Sequence, residues 1–544
     1  MSAHKKLAWV AFAIVLAFAA FLRIQQIDIQ WLTDDEWHMV HKVLTGASYG
    51  DIATAVGVAD FSIPQTLLYK WLAAHGGVDE LGMRLPMLAA GLLLVAGGGW
   101  WAWRNFGAAA GLGFMSLLAI SPLLVNYSRN ARPYALTVLL AWGALLALAR
   151  WRRQRQWRWA WVYAASAALA CWLHMAVAPF ALAPLAWVAM IDARQAWKTR
   201  NWAILRPSCL LGLGMAAVIA LLAGLPMLMN MEMLSTRMGK DLPTLATWIG
   251  VWFCWLGIDS RLLMLLCVLL ALPGALALYR RRADVFELAC VGLLTTLAAI
   301  YCSRPAWVQN PLTFGRYLLP ALPLLLLCVT LGMQRLLERW LAKLPIVQAR
   351  AAWALAFTIL AGLLLADGPT PELLERPNNF TLHSWHQFDY RVRHNPVRPL
   401  LNDLPESPFW RRLAEFPPGS VRLAVAGHGL ESTTLADARW QRIHRQPLWG
   451  AQRAGYCGKE PYWAEADPAS GFLLKNAVSL ADPASLRRAA IDYVIFDRWA
   501  GNRPETEIDA CIARFAREYG APEYEDANVV AFRLTPDRPP RSLH

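Results

Sequence analysis

The sequence predicts a polytopic α-helical membrane protein of about eleven transmembrane helices, followed by a C-terminal α/β domain that stands in water. Three observations predict it. Apolar runs recur from Leu7 to Ala366 and then stop; a bilayer core is crossed by about 20 mostly apolar residues. The composition is 57% hydrophobic and 17% charged, against roughly 45–50% and about 25% in soluble domains. Basic residues gather in alternate short gaps between the runs: Lys5 and Lys6, Arg104, Arg150 to Arg158, Arg194 to Arg206, Arg280 to Arg282, and Arg335 to Arg350. That alternation is the positive-inside pattern, and Trp151, Trp157, Trp159, Trp197 and Trp202 stand beside it as interfacial aromatics do.

The first run, Leu7 to Leu22, follows two lysines and continues as Arg23-Ile24-Gln25-Gln26 rather than into a small-residue cleavage site. It therefore reads as an uncleaved span with a cytoplasmic N-terminus. The spans fall at 7–26, 86–103, 108–126, 134–150, 159–173, 177–192, 208–226, 261–279, 285–302, 317–334 and 351–366. An odd number places the C-terminus on the opposite, periplasmic side. Thr244 to Ile258 is apolar but short, and reads as re-entrant or interfacial. Residues 1–366 thus form a membrane domain, with one long external loop at 27–85 that contains an amphipathic run from Pro64 to Ala74. Residues 367–544 form the soluble domain. Ser420 to Ala426, Asp492 to Phe496 and Asn528 to Leu534 read as strands, and Pro483 to Ala490 and Glu505 to Tyr519 as helices.

A net charge of +14 invites a nucleic-acid reading, but charge confined to alternate loops sets topology instead and excludes nucleic acid as the partner. Seven of the nine cysteines lie in or beside spans, where they act as small apolar residues. Cys457 and Cys511 share the external domain, where an oxidising periplasm permits them to pair. No CxxC, HExxH, Walker A or GxGxxG pattern is present, so ATP-driven transport and nicotinamide chemistry lack support.

Chemistry concentrates at the external ends of the spans. Asp34, Asp35 and Glu36, between Trp31 and Trp37, follow the first span. Carboxylates shielded at a membrane face gain raised pKa values and suit proton abstraction. Tyr127, Arg132 and Tyr134 lie in Tyr127-Ser128-Arg129-Asn130-Ala131-Arg132-Pro133-Tyr134, a stretch suited to a phosphate headgroup. Arg316 and Tyr317 open a later span on the side that positive charge avoids. His174 ends the fifth span. His38 and His41, near Glu36, are candidate ligands for a divalent metal, which stays unassigned.

In this order, with Arg84-Leu85-Pro86 opening the second span and Arg316-Tyr317-Leu318-Leu319-Pro320 a late one, the motifs resemble those of the GT-C glycosyltransferases. These are the superfamily of protein O-mannosyltransferases and lipid A aminoarabinose transferases. The resemblance implies an inverting enzyme that takes a sugar from a polyprenyl-phosphate donor at the outer face of a bacterial inner membrane. Its acceptor would be a hydroxyl or phosphate of lipid A or lipopolysaccharide, another envelope glycan, or a protein. It implies that Asp35 is the catalytic base, with Asp34 one register away, and that Arg132 and Arg316 hold the donor phosphate. Arg84, His174 and Tyr317 are further substrate-binding candidates. The chain departs from the family at Asn130, where an acidic residue is frequent, and at Ser62-Ile63-Pro64-Gln65, where a basic residue followed by two prolines is frequent. A transporter of a lipid-linked sugar is the competing class; it predicts charges near the bilayer midplane and repeated helices, whereas the polar residues here sit at span ends.

Overall fold

A computed structural model describes residues 3–32, 34–44, 46–55, 62–232, 239, 241–340, 345–375, 379, 406–426, 440–453, 455–457, 471–500, 503–504 and 508–534. Helices build the first two thirds of the chain: α1 (Ala3–Ile24), α2 (Asp34–Leu44), α3 (Tyr49–Thr54), α4 (Ile63–Ala74), α5 (Glu80–Phe106), α6 (Ala108–Ile120), α7 (Pro122–Ser128), α8 (Tyr134–Gln154), α9 (Trp157–Leu173) and α10 (Ala178–Thr199) come first. Among the described residues, seven helices are long and apolar enough to cross a membrane, or eight if the bent pair α6–α7 is one span. The expected eleven are not reached by that measure. One reason is that 261–279 and 285–302 count there as one 43-residue run, Arg261–Ser303, in which two helices meet at a kink at Arg282, whose φ of −144° and ψ of 59° are not helical. Thr244 to Ile258 forms a 12-residue helix, Leu245–Leu256, with a Thr244/Thr247 capping box. At 1.5 Å per residue, it is too short to cross a core of about 30 Å.

The α6–α7 break shapes the site. Ser121 precedes Pro122, which has no amide hydrogen to continue the ladder, and the two helices bend by 63°. The carbonyls freed at the end of α6 are taken by buried Arg23, which donates to Leu118 O at 3.1 Å and Ala119 O at 2.9 Å. A guanidinium at a helix C-terminus also meets the negative end of its dipole.

Helices meet through small residues, as bilayer packing requires. Gly274, in the first half of Arg261–Ser303, lies against Gly332 of the helix Leu322–Trp340. A Cβ on Gly332 would fall 1.7 Å from Leu270 O, and one on Gly274 1.7 Å from Cys328 O. Gly332→Ala forces the helices apart and is expected to cost about 1–3 kcal/mol, the usual range for overpacking. A thermal midpoint in detergent equal to that of the parent protein would refute the close approach.

The C-terminal sheet domain carries β1 (Leu423–Ala426), β2 (Leu448–Gln452), β3 (Ala477–Ser479), β4 (Tyr493–Asp497), β5 (Trp499–Ala500), β6 (Arg503–Pro504), β7 (Tyr524–Glu525) and β8 (Val529–Arg533). Six of them form one sheet in the order β3-β2-β1-β4-β8-β7. The β1, β2, β3 and β4 pairings are parallel, and β8 runs antiparallel to β4 and β7. Alternate residues point to opposite faces. Leu423, Val425, Tyr493, Ile495, Val529 and Ala531 pack on Phe409 and Trp410 of the helix Pro408–Leu413. Ala424, Ala426, Val494, Phe496, Val530 and Phe532 pack on the helix Ile508–Tyr519. Cys511 on that helix is disulfide-bonded to Cys457, with Cα atoms 5.3 Å apart.

This domain is joined to the first loop of the membrane domain. Trp31 is buried in the first-face core, and its indole donates to Leu448 O at 2.7 Å. The Trp31 amide donates to Asn379 O at 2.7 Å, and the Asn379 side chain returns a bond to Ile29 O.

Candidate functional site

The acidic stretch folds as α2, so its carboxylates sit in a first helical turn, where the helix dipole favours negative charge. Asp34 and Asp35 have helical backbones, but their side chains, with those of His38 and His41, lie outside the described residues. Glu36 is fully buried and forms a two-pronged ion pair with buried Arg84, at 2.9 Å from Nε and 3.1 Å from Nη2. Arg84 spends its remaining donors on Ile27 O, Gln30 O and Trp31 O. The structure thus gives Glu36 and Arg84 partners in each other. As a proton-abstracting or metal-binding group Glu36 is disfavoured, since both its oxygens are engaged. As a substrate contact Arg84 is disfavoured, since all five of its N–H groups are used.

Glu36 Oε1 also accepts the Ala131 amide at 2.6 Å. Gln65 of α4 donates to Ala131 O at 2.7 Å and to the Tyr69 hydroxyl at 2.5 Å. Tyr69 in turn donates to Met83 O at 2.7 Å. Burial pushes the Tyr69 phenol well above its ordinary range, so it stays a neutral donor. The residue before Arg132 is therefore fixed at both its amide and its carbonyl. Sequence reasoning set Gln65 aside as a departure from a family pattern and did not single out Tyr69. Their signal was the four-residue spacing that puts both on one face of α4.

Arg129, two residues earlier, is buried and turned the other way. It donates to the Gln30 side chain at 3.2 Å and to the carbonyls of Leu22 and Gln25 at 3.2 and 2.7 Å. The motif between α7 and α8 thus divides its labour: Arg129 ties it to the end of α1, and Arg132 meets the ring of Tyr134.

Tyr134, the first residue of α8, is the hub of that pocket. The Arg132 guanidinium stands 5.7 Å from its ring centroid and that of Arg316 5.8 Å. The Tyr127 ring lies 4.6 Å away and the His174 ring 5.2 Å. Tyr134, Thr137, His174, Arg316 and Tyr317 line one pocket. Five expected site residues, Arg132, Tyr134, His174, Arg316 and Tyr317, come together from three separate segments, and Tyr127 backs them. Thr137, one turn into α8, joins the lining without having been anticipated.

Arg316 is placed by the seven-residue helix Pro311–Tyr317, which Asn310 caps through a bond to the Leu312 amide at 2.9 Å. Trp255 donates to Gly315 O at 3.1 Å and fixes the adjacent turn. Each of the two guanidiniums gains a cation–π attraction from the one ring, and a planar fork of that kind suits phosphate oxygens. Among the described residues no group of three or more His, Cys, Asp or Glu side chains could hold a metal ion.

No family model and no curated sequence matches the chain. Among solved structures, ArnT from Cupriavidus metallidurans in the apo state is 16% identical, covering 99% of this chain and 100% of that one, at a TM-score of 0.45. ArnT from the same organism bound to undecaprenyl phosphate is 14% identical over 98% and 99%, also at 0.45. An Archaeoglobus fulgidus oligosaccharyltransferase, in complex with zinc and sulfate, is 12% identical over 90% of this chain and 68% of that one, at 0.37.

Proposed function

We propose that the chain is an inverting membrane glycosyltransferase of the GT-C type, moving a sugar from a polyprenyl-phosphate donor to an envelope acceptor. The observation that carries the proposal is the convergence of Arg132 and Arg316 on Tyr134. Arg316 lines a pocket at the helix ends, and Arg132 reaches the same ring from the segment whose Ala131 amide is bonded to Glu36 of the acidic helix. A donor with a long isoprenoid tail stays in the bilayer, and its phosphate lies at the surface where these arginines stand. The proposed orientation is a cytoplasmic N-terminus with the pocket and the soluble domain on the periplasmic face of a bacterial inner membrane.

In the proposed reaction Asp35 takes the proton of the acceptor hydroxyl as its oxygen attacks C1 of the sugar. The bond from C1 to the phosphate oxygen breaks, and its electron pair leaves with the polyprenyl phosphate. Arg132 and Arg316 offset the charge that grows on that phosphate, the kind of preorganised stabilisation that dominates many such steps. Attack from the side opposite the leaving group inverts C1. The acceptor classes that fit are lipid A or lipopolysaccharide, other envelope glycans, and protein hydroxyls.

The test is release of polyprenyl phosphate from purified chain supplied with labelled polyprenyl-phosphate sugars and envelope acceptors. Movement of intact donor across vesicles with no sugar transfer would sink the enzyme reading in favour of a flippase. Within the assay, Arg316→Lys should lose roughly tenfold in turnover, because one point charge replaces a two-pronged contact worth about 1.5–3 kcal/mol. Wild-type turnover and donor affinity in both Arg316→Lys and Arg316→Ala would reduce Arg316 to an interfacial anchor.

A further inference from the structure

The soluble domain sends one strap into the membrane domain, just ahead of β3. Gly471 O accepts the Val78 amide at 2.8 Å, and the Leu473 amide donates to Val78 O at 2.9 Å. Between them Phe472, 1% exposed, enters a buried cluster with Leu32, Met39, Val40, Tyr69, Val78, Met83 and Ala131. Met39 and Val40 belong to α2, Tyr69 to α4 and Ala131 to the arginine motif. The strap then closes on the start of α5. The amides of Lys475 and Asn476 donate to Glu80 Oε1 at 2.8 and 3.1 Å, and the Lys475 ammonium meets Asp79 at 2.6 Å. Burial works against the Asp79 charge, but the bonds from Lys475 and from the Gly82 amide outweigh it and hold its carboxyl below the ordinary range. Gly471 has a φ of 77°, and a Cβ there would lie 2.2 Å from Ala73 O, so the strap runs flush against the end of α4.

One turn beyond Glu80 on α5 stands Arg84, whose guanidinium holds Glu36. The strap therefore reaches the acidic helix by two routes: directly through Phe472, and through the first turn of α5. We propose that the soluble domain is a clamp that sets the position of α2 for transfer, with Phe472 and Lys475 as its positioning residues. The assignment rests on the transferase reading for the word transfer, and on the packing alone for the clamp. Arg316 is carried by the helix Pro311–Tyr317 and Arg132 by the segment just ahead of α8, on elements other than α2. Loosening the strap should therefore move the acid relative to a donor that still binds. Displacing a reacting group by about 1 Å can cost on the order of 10²-fold.

The test uses the full chain in lipid nanodiscs. Phe472→Ala empties the buried site, Phe472→Leu refills it, and Lys475→Glu turns the ion pair with Asp79 into a repulsion without opening the core. Arg488→Ala, on an exposed ion pair 70% open to solvent, is the control. Three readouts are taken: amide hydrogen exchange of residues 34–44, binding of polyprenyl phosphate, and kcat for transfer. In Phe472→Ala and Lys475→Glu, exchange at 34–44 should quicken and kcat should fall about tenfold or more. Polyprenyl-phosphate affinity should stay within about twofold, and Phe472→Leu should return most of kcat. Unchanged exchange at 34–44 in both Phe472→Ala and Lys475→Glu overturns the clamp. Faster exchange with wild-type kcat overturns the positioning role, as does a fall in donor binding that matches the fall in kcat. A wild-type chain that transfers no sugar ends the transferase reading instead, and the exchange arm still decides the clamp.

Discussion

Glu36→Gln should leave little folded protein, with a loss of about 3–5 kcal/mol, the range for removing one partner of a buried ion pair. The neutral amide leaves the Arg84 charge in a site where both side chains are fully buried, and turns an N–H group toward it. Arg84→Lys should be comparably damaging. Arg84 makes five hydrogen bonds, to Glu36 twice and to Ile27, Gln30 and Trp31 once each, and an ammonium offers three donors. The carbonyls left behind are buried, and each orphan costs about 1–3 kcal/mol. An apolar double replacement, Glu36→Leu with Arg84→Met, removes both charges but still orphans those carbonyls, so it should recover only part of the loss. The measurement is the thermal midpoint and the monodisperse yield in detergent. A Glu36→Gln protein with normal yield and midpoint, but no transfer, would return Glu36 to the chemistry and overturn its structural role.

That pair also shows where sequence reading reached and where it stopped. Arg132, Tyr134, His174, Arg316 and Tyr317 were legible because each breaks a local rule. They are polar at span ends, and the arginines fall in gaps that the expected topology leaves without positive charge. The partnership of Glu36 with Arg84, 48 residues apart, was not legible, because three adjacent carboxylates look alike until folding buries one. In the C-terminal domain β1, β4 and β8 were expected from short apolar runs. β2 and β3 were not: Leu448–Gln452 contains Gly450, Ala477–Ser479 is three residues long, and both are strands through parallel pairing with distant neighbours. Strand propensity of that kind belongs to the context more than to the segment. The bond from Trp31 to Leu448 spans 417 residues and leaves no local trace. At Arg280 to Arg282 a count by helix length joins what the sequence separates. Three arginines read as a loop, and two helices meet there at a kink where Arg282 leaves helical geometry.

Asp35→Asn should abolish transfer while leaving a folded protein. An acceptor hydroxyl is a poor nucleophile at neutral pH and needs its proton removed in the transition state; loss of such a base typically costs about 10²–10⁴-fold in rate. The base must work where the donor phosphate is held. Glu36 anchors α2 to the Ala131 amide at 2.6 Å, one residue before Arg132, so the backbone of Asp35 is brought beside the arginine motif. With Glu36 committed to Arg84, the acids of this turn that remain for chemistry are Asp34 and Asp35. The three replacements therefore part company: Asp35→Asn should be folded and inactive, Asp34→Asn folded and close to wild type, and Glu36→Gln poorly folded. Each variant is checked for membrane yield, thermal midpoint and polyprenyl-phosphate binding before turnover is compared. Normal transfer by Asp35→Asn ends its assignment as the base. If Asp34→Asn alone is inactive, the site stands with its register shifted by one. If neither matters while Arg316→Ala still abolishes turnover, the proton is taken by a group outside this helix.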